Sequence, residues 1–221
     1  MPHPKDEFDA PVSTRRLEAF TDGVFAIAAT LLVLDLSVEA LGNHVLTNDE
    51  LWRALVSMQY EFLSFGISFA LLAYLWSLHI QQFEFVARAS HALIALNSAR
   101  LLGVVFIPFA TSLNSEFSNL LAGRLLLPIT FMYVTIMGAI EWFYATNPAR
   151  GLVEGLSDRS IRRSRVAALI AALVSVIVVL LAPFIGSWAF LAFMLNTFAD
   201  RIPGLTRPRA GKSDSATPTA G

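Results

Sequence analysis

Apolar residues in this chain gather into six runs separated by short polar segments, at about 19–36, 54–78, 89–109, 120–144, 166–185 and 188–199. At 1.5 Å rise per residue the first run covers roughly 27 Å, close to the ~30 Å hydrocarbon core of a bilayer. The next four are of similar or greater length. The sixth is only about a dozen residues, and Pro183 with the Gly186-Ser187 pair sets it off from the fifth as a tight helical hairpin. The pattern predicts an all-α integral membrane protein with six transmembrane helices in each subunit.

Helical period sorts the first run into faces. Ile27, Leu31 and Leu34 fall within an arc of about 60°, with Thr30 to one side. On the opposite side Asp22, Ala26, Ala29 and Val33 form a stripe of mostly small residues. Small residues let neighbouring helices approach closely, so this stripe is expected against the rest of the subunit. The Ile27, Leu31, Leu34 stripe is then free for another surface. Periodicity alone assigns such a stripe to lipid or to helix packing.

Composition sharpens the class. The 221 residues are 55% hydrophobic and 15% charged, with mean hydropathy +0.60, against about 25% charged in ordinary soluble domains. The net charge of −1 provides no field for nucleic acid, and none is expected as a partner. Lysine and arginine are strongly asymmetric. With the N-terminus inside, Lys5, Arg15, Arg16, Arg88, Arg150, Arg159, Arg162, Arg163, Arg165, Arg201, Arg207, Arg209 and Lys212 lie on the cytoplasmic side, and Arg53 and Arg124 on the other. Both termini are therefore expected in the cytoplasm. The Arg159 to Arg165 cluster, at the membrane-entering end of the fifth run, reads as an orientation signal and a contact for anionic headgroups rather than a nucleic-acid site. Residues 1–14 and 203–221 are polar and rich in Pro, Ser and Thr, and are expected as flexible tails around a single transmembrane domain at 15–202. Acidic residues precede the first arginines and Asp22 interrupts the first run, so that run is read as retained rather than as a cleaved leader.

Enzyme chemistry finds no foothold. There is no cysteine, and His3, His44, His79 and His91 are not spaced as metal ligands. HExxH, Gly-x-Ser-x-Gly and phosphate-loop motifs are absent, so no cofactor or resident metal is expected. The TVGYG filter and an arginine-rich voltage-sensing helix are absent too. Ionisable residues inside membrane runs are costly and suggest function by default. They are Asp22, Glu61, Arg100 and Glu141. By depth, Asp22, His79 and Asn97 are expected to form a buried polar cluster, with Arg16 at its cytoplasmic edge and Trp76 beside it. Glu61 could pair with Arg100 if the second and third runs are staggered favourably. Glu141, beside Trp142 and Tyr144, is explained by snorkelling within an aromatic belt.

Arg16, then three residues, then Phe20-Thr21-Asp22 and Gly23-Val24-Phe25-Ala26-Ile27 resembles the opening of the first helix in the transmembrane protein 175 family of potassium channels. Trp76 with His79, and Asn97 followed by Pro108-Phe109-x-Thr111, resemble that family as well, from roughly Arg15 to Tyr144. Thr21 stands where serine is usual, and Ala28-Ala29 makes the helix slimmer than in members with bulky residues there. The resemblance implies that the first helix lines the pore and that single-repeat chains assemble as homotetramers in a bacterial plasma membrane. It also implies that Ile27 is the narrowest point, Leu31 and Leu34 are hydrophobic layers above it, and Thr30 is a polar layer. Arg16, Phe20, Thr21, Asp22, Trp76, His79 and Asn97 would form a signature network that fixes the pore helix.

The expected function is a potassium-permeable channel, weakly selective for K+ over Na+, with membrane lipids and transient monovalent cations as its partners. An apolar constriction gates by dewetting when narrow, and potassium gives up its water more readily than sodium. A secondary transporter, suggested by Asp22, Glu61 and Arg100, and a non-conducting membrane scaffold are the alternatives. Against the transporter, no paired interrupted helices are visible.

Overall fold

The structure, a computed structural model, describes residues 14–36 and 47–190. Six α-helices lie among these described residues: α1 (Thr14–Leu31), α2 (Asn48–Ser57), α3 (Gln59–Phe83), α4 (His91–Glu116), α5 (Leu121–Ala145) and α6 (Asp158–Ile185). All but α2 are long and apolar enough to cross a membrane, α1 doing so with its 3-10 extension to Leu34. The sixth expected span lies outside the described residues beyond Phe190, as do both expected tails apart from Thr14, which already belongs to α1.

Two boundaries differ from the sequence expectation. The second run does not begin a single helix at 54. Thr47 closes a capping box with Glu50, its hydroxyl accepting from the Glu50 amide while the Glu50 carboxylate accepts from the Thr47 amide, and this starts the separate helix α2. Met58, at φ −82 and ψ 17, then leaves helical geometry before α3 begins. Likewise, Ser157 caps α6 through the Ser160 amide, so that helix starts at Asp158 rather than near 166. Hydropathy sees only the membrane portion, whereas the polar first turns of α6 carry their own cap.

The long helices share one apolar core. Phe25 and Ala28 from α1 and Leu32 from its 3-10 extension meet Leu72 and Leu75 of α3, Val104 and Ile107 of α4 and Phe131 and Val134 of α5, all at 4% exposure or less. Close approach of α4 and α5 depends on Gly103, where an added Cβ would lie 2.6 Å from both the Tyr133 ring and Val134 Cγ2. The Tyr133 hydroxyl is tied to the Ala99 carbonyl at 2.7 Å, so that ring has little room to yield.

At the arginine-rich end the two loops are clamped together. Val86 and Val153 form an antiparallel bridge, Ala87 N–H donates to Leu152 O at 2.9 Å, and Glu154 N–H donates to Phe85 O at 3.0 Å. Arg88 and Glu154 pair across the same clamp at 3.2 Å. Being exposed, that ion pair contributes little compared with the backbone bonds. Arg165 donates to the carbonyl and hydroxyl of Thr146, each at 2.8 Å, satisfying the C-terminal end of α5.

Candidate functional site

Helix α1 packs on its own subunit through Leu17, Thr21, Phe25, Ala28 and, one turn on, Leu32. This corrects the expected packing stripe. Asp22, Ala26 and Val33 are exposed and Ala29 is only half-buried. The buried face is turned about 100° from the Asp22 stripe. Bulk decides the difference: Phe25 and Leu32 fill the space between α3 and α4, which small side chains would leave open.

Ile27, Leu31 and Leu34 are 61%, 41% and 68% exposed, so the subunit leaves that stripe uncovered. Phe20, 60% exposed, belongs to the same face two turns before Ile27. The family resemblance counts Phe20 in the signature network, and within the subunit it lies on the uncovered face in line with Ile27. Thr30 is exposed, and its hydroxyl donates to the Ile27 carbonyl at 2.8 Å, which leaves the oxygen able to accept. Arg16 is exposed in the first turns of α1, with no ion pair among the described residues.

The expected Asp22, His79, Asn97 cluster is resolved into three separate locks. In the first, the Trp76 indole N–H donates to Asp22 Oδ1 at 2.9 Å on the outer side of the subunit, where Asp22 is exposed and Trp76 is partly so. In the second, Asn97 Nδ2 donates to Thr21 Oγ1 at 2.8 Å, both residues being fully buried. That bond ties α1 to α4. The hydroxyl of Thr21 is the group it uses, and serine would offer the same oxygen.

The third lock was not anticipated. Arg100 Nη1 lies 3.2 Å from Glu141 Oε2 and 3.5 Å from His79 Nδ1, with Arg100, Glu141 and His79 each 2% exposed. Arg100 Nη2 also donates to the Leu75 carbonyl at 3.4 Å. Gly138 makes room for the guanidinium, since a Cβ there would sit 3.0 Å from its central carbon. The His79 ring lies against Phe83, with centroids 4.1 Å apart, and within 6.2 Å of the Phe25 ring centroid on α1. The lock therefore stands directly behind α1. Glu141 is thus an interior ion-pair partner and not an interfacial snorkelling residue, and Trp142 beside it is buried with its N–H on Ser164.

Glu61 does not reach Arg100. It precedes His79 by 18 residues on α3, roughly 27 Å along the axis, while Arg100 is level with His79. The available signal for the true pair was opposite charges on consecutive antiparallel helices near the same end, with Gly138 one turn before Glu141.

Residues 16–108 match the family described as endosomal/lysosomal potassium channel TMEM175. A potassium channel of Chamaesiphon minutus is 41% identical over 104 residues, covering 47% of this chain and 50% of its own length. One of Streptomyces collinus is 38% identical over 102 residues, covering 46% and 48%. The endosomal/lysosomal proton channel TMEM175 of Gallus gallus is 33% identical over 113 residues, covering 49% of this chain and 23% of its own length. The chain thus aligns with about half the length of its bacterial curated relatives. The crystal structure of a lysosomal potassium-selective channel TMEM175 homolog from Chamaesiphon minutus superposes with a TM-score of 0.60 at 30% identity, over 83% of this chain and 97% of that one. A single-residue variant of the potassium channel MtTMEM175, crystallised with a nanobody fusion protein, shares the fold, with a TM-score of 0.58 at 18% identity over 86% and 88% of the two chains. An uncovered apolar face on the first helix, polar locks behind it, and these likenesses together place the chain in the TMEM175 channel family.

Proposed function

We propose that this chain is one subunit of a potassium-permeable cation channel, assembled as a homotetramer in the bacterial plasma membrane with α1 of each copy on the axis. The observation that carries the reading is the uncovered apolar face of α1, Ile27, Leu31 and Leu34, on a helix otherwise anchored to its subunit. A cyclic arrangement brings four such faces together. Ile27 then forms the narrowest ring, Leu31 and Leu34 the apolar layers beyond it, and Thr30 supplies a hydroxyl that replaces part of a cation's lost hydration. Such a wall discriminates weakly, in favour of the more easily dehydrated K+.

Asp22 supports assembly. One of its oxygens is held by Trp76, yet the residue remains exposed within a membrane-spanning helix, where an uncovered carboxylate is costly. A neighbouring copy covers it, and the exposed Arg16 is a complementary charge. No enzymatic step belongs to this reading. With the arginine-rich end in the cytoplasm, α1 begins on that side, as do the loops that join α3 to α4 and α5 to α6.

The test is the reversal potential of the reconstituted protein in a planar bilayer with K+ on one side and Na+ on the other. Current reversing toward the potassium equilibrium potential supports the channel reading. Saturable flux without single-channel steps points to a carrier, and silence from folded oligomer to a scaffold. The vertebrate relatives are named proton channels, so a pH gradient forms the second arm of the same recording.

A further inference from the structure

The arginines of the α3–α4 and α5–α6 loops and of the first turns of α6 divide into two kinds. Arg88 pairs with Glu154, Arg150 lies 3.7 Å over the Tyr144 ring, and Arg165 holds Thr146. Arg159, Arg162 and Arg163 do none of this: they are exposed and form no hydrogen bond or ion pair among the described residues. All three belong to the first turns of α6.

Their placement on that helix is specific. At about 100° per residue they fall on one face, and the same face continues down α6 as Val166, Leu173 and Leu180, which are 50%, 61% and 65% exposed. The whole strip lies within an arc of about 120°. The buried residues of α6, Ala171, Ser175, Val178 and Ala182, occupy the opposite side. So the three cations are not spent on the subunit, and they stand at the head of an uncovered apolar stripe. An anionic headgroup above two acyl chains has the complementary order of charge and apolar length.

We propose that this face of α6 is a binding site for an anionic phospholipid. Arg159, Arg162 and Arg163 hold its phosphate, and its acyl chains lie along the stripe from Val166 toward Leu180. Guanidinium groups suit the task because their planar donors can engage phosphate oxygens two at a time. A nucleic acid would engage the arginines alone and would not use a stripe that runs on into the hydrocarbon. The site is distinct from the α1 face, and it stands whether or not that face lines a pore.

The test uses the full-length protein in neutral detergent, titrated with fluorescent phosphatidylglycerol and, separately, with phosphatidylcholine of the same chains. The wild type should prefer phosphatidylglycerol, and high salt should reduce the preference. The triple variant Arg159→Gln, Arg162→Gln, Arg163→Gln should lose phosphatidylglycerol affinity by roughly 100-fold, taking about fivefold per basic residue near an anionic lipid, with phosphatidylcholine binding unchanged. The corresponding triple lysine variant, which keeps the charge but not the planar paired donors, should fall between the wild type and the glutamine variant. Equal binding of the two lipids by the wild type would overturn the proposal, as would a glutamine variant that still prefers phosphatidylglycerol. Unchanged lipid preference with weakened subunit association would also overturn it, assigning the face to a second copy. Should the glutamine variant fail to fold, the wild-type comparison at low and high salt decides alone: a salt-sensitive preference upholds the site and a missing one rejects it.

Discussion

Arg100 and Glu141 form an ion pair at 3.2 Å with both side chains 2% exposed, in the interior of a membrane protein and directly behind α1. Separating buried charges from solvent is expensive, and removing one partner strands the other. Glu141→Gln is therefore expected to destabilise the subunit by about 3–5 kcal/mol, read as a lowered melting midpoint in detergent. The double variant Arg100→Met, Glu141→Met should recover most of that loss, because an apolar pair of similar volume leaves no charge uncompensated. A double variant as unstable as the single one would show that the pair does more than neutralise itself.

The Thr21 and Asn97 bond makes a sharper pair of variants. Both residues are fully buried, and Asn97 Oδ1 already lacks a hydrogen-bond partner among the described residues. Thr21→Val keeps the shape and removes the acceptor, so it should cost about 1–3 kcal/mol. Thr21→Ser keeps the oxygen and should stay close to wild type. Thermal melts of the two variants side by side settle the matter, and equal melts would mean that the hydroxyl contributes nothing.

Gly103 tests how tightly α4 and α5 are packed. Gly103→Ala places a methyl 2.6 Å from the Tyr133 ring, which is itself held by the Ala99 carbonyl. Overpacking of this kind costs about 1–3 kcal/mol. Adding Tyr133→Ala to Gly103→Ala should relieve part of the strain, and a double-variant cycle in detergent melts measures the coupling between the two sites.

The sequence carried the membrane spans well and their rotation poorly. Apolar runs locate α3, α4, α5 and α6 because lipid demands about 20 apolar residues whatever the neighbours are. The uncovered stripe of Ile27, Leu31 and Leu34 was also legible, since its helical spacing is a local property. What α1 packs with was not, because the inward face depends on which cavity α3 and α4 leave. Small residues around Asp22 argued for one answer, and the volume of Phe25 and Leu32 gave another. The same reason dissolved the expected Asp22, His79, Asn97 cluster: similar depth does not fix which faces of three helices meet. Arg100 found Glu141 on the next helix in sequence, a partner that an interfacial assignment for Glu141 had removed from consideration. The α2 helix was hidden because its apolar residues run on into α3, and the break at Met58 has no Pro or Gly to mark it.

If Ile27 forms the constriction, a polar side chain there should ease hydration of passing ions. Ile27→Asn is expected to raise unitary conductance and to shift the K+/Na+ reversal potential toward zero. The same substitution at Leu102, 70% exposed on α4, should leave both unchanged. Equal effects at the two sites would argue for a general loss of structure.

The most direct measurement exploits the absence of cysteine from the chain, which makes any introduced thiol unique. Ile27→Cys, reconstituted in a bilayer, is exposed to silver ion, a monovalent cation between Na+ and K+ in size that bonds thiolates. Leu102→Cys, exposed on α4, serves as the comparison. A pore lined by α1 predicts irreversible block of the Ile27→Cys current and none for Leu102→Cys. Persistent current through Ile27→Cys under silver, with the thiol shown to be intact before exposure, would contradict the placement of α1 on the conducting axis.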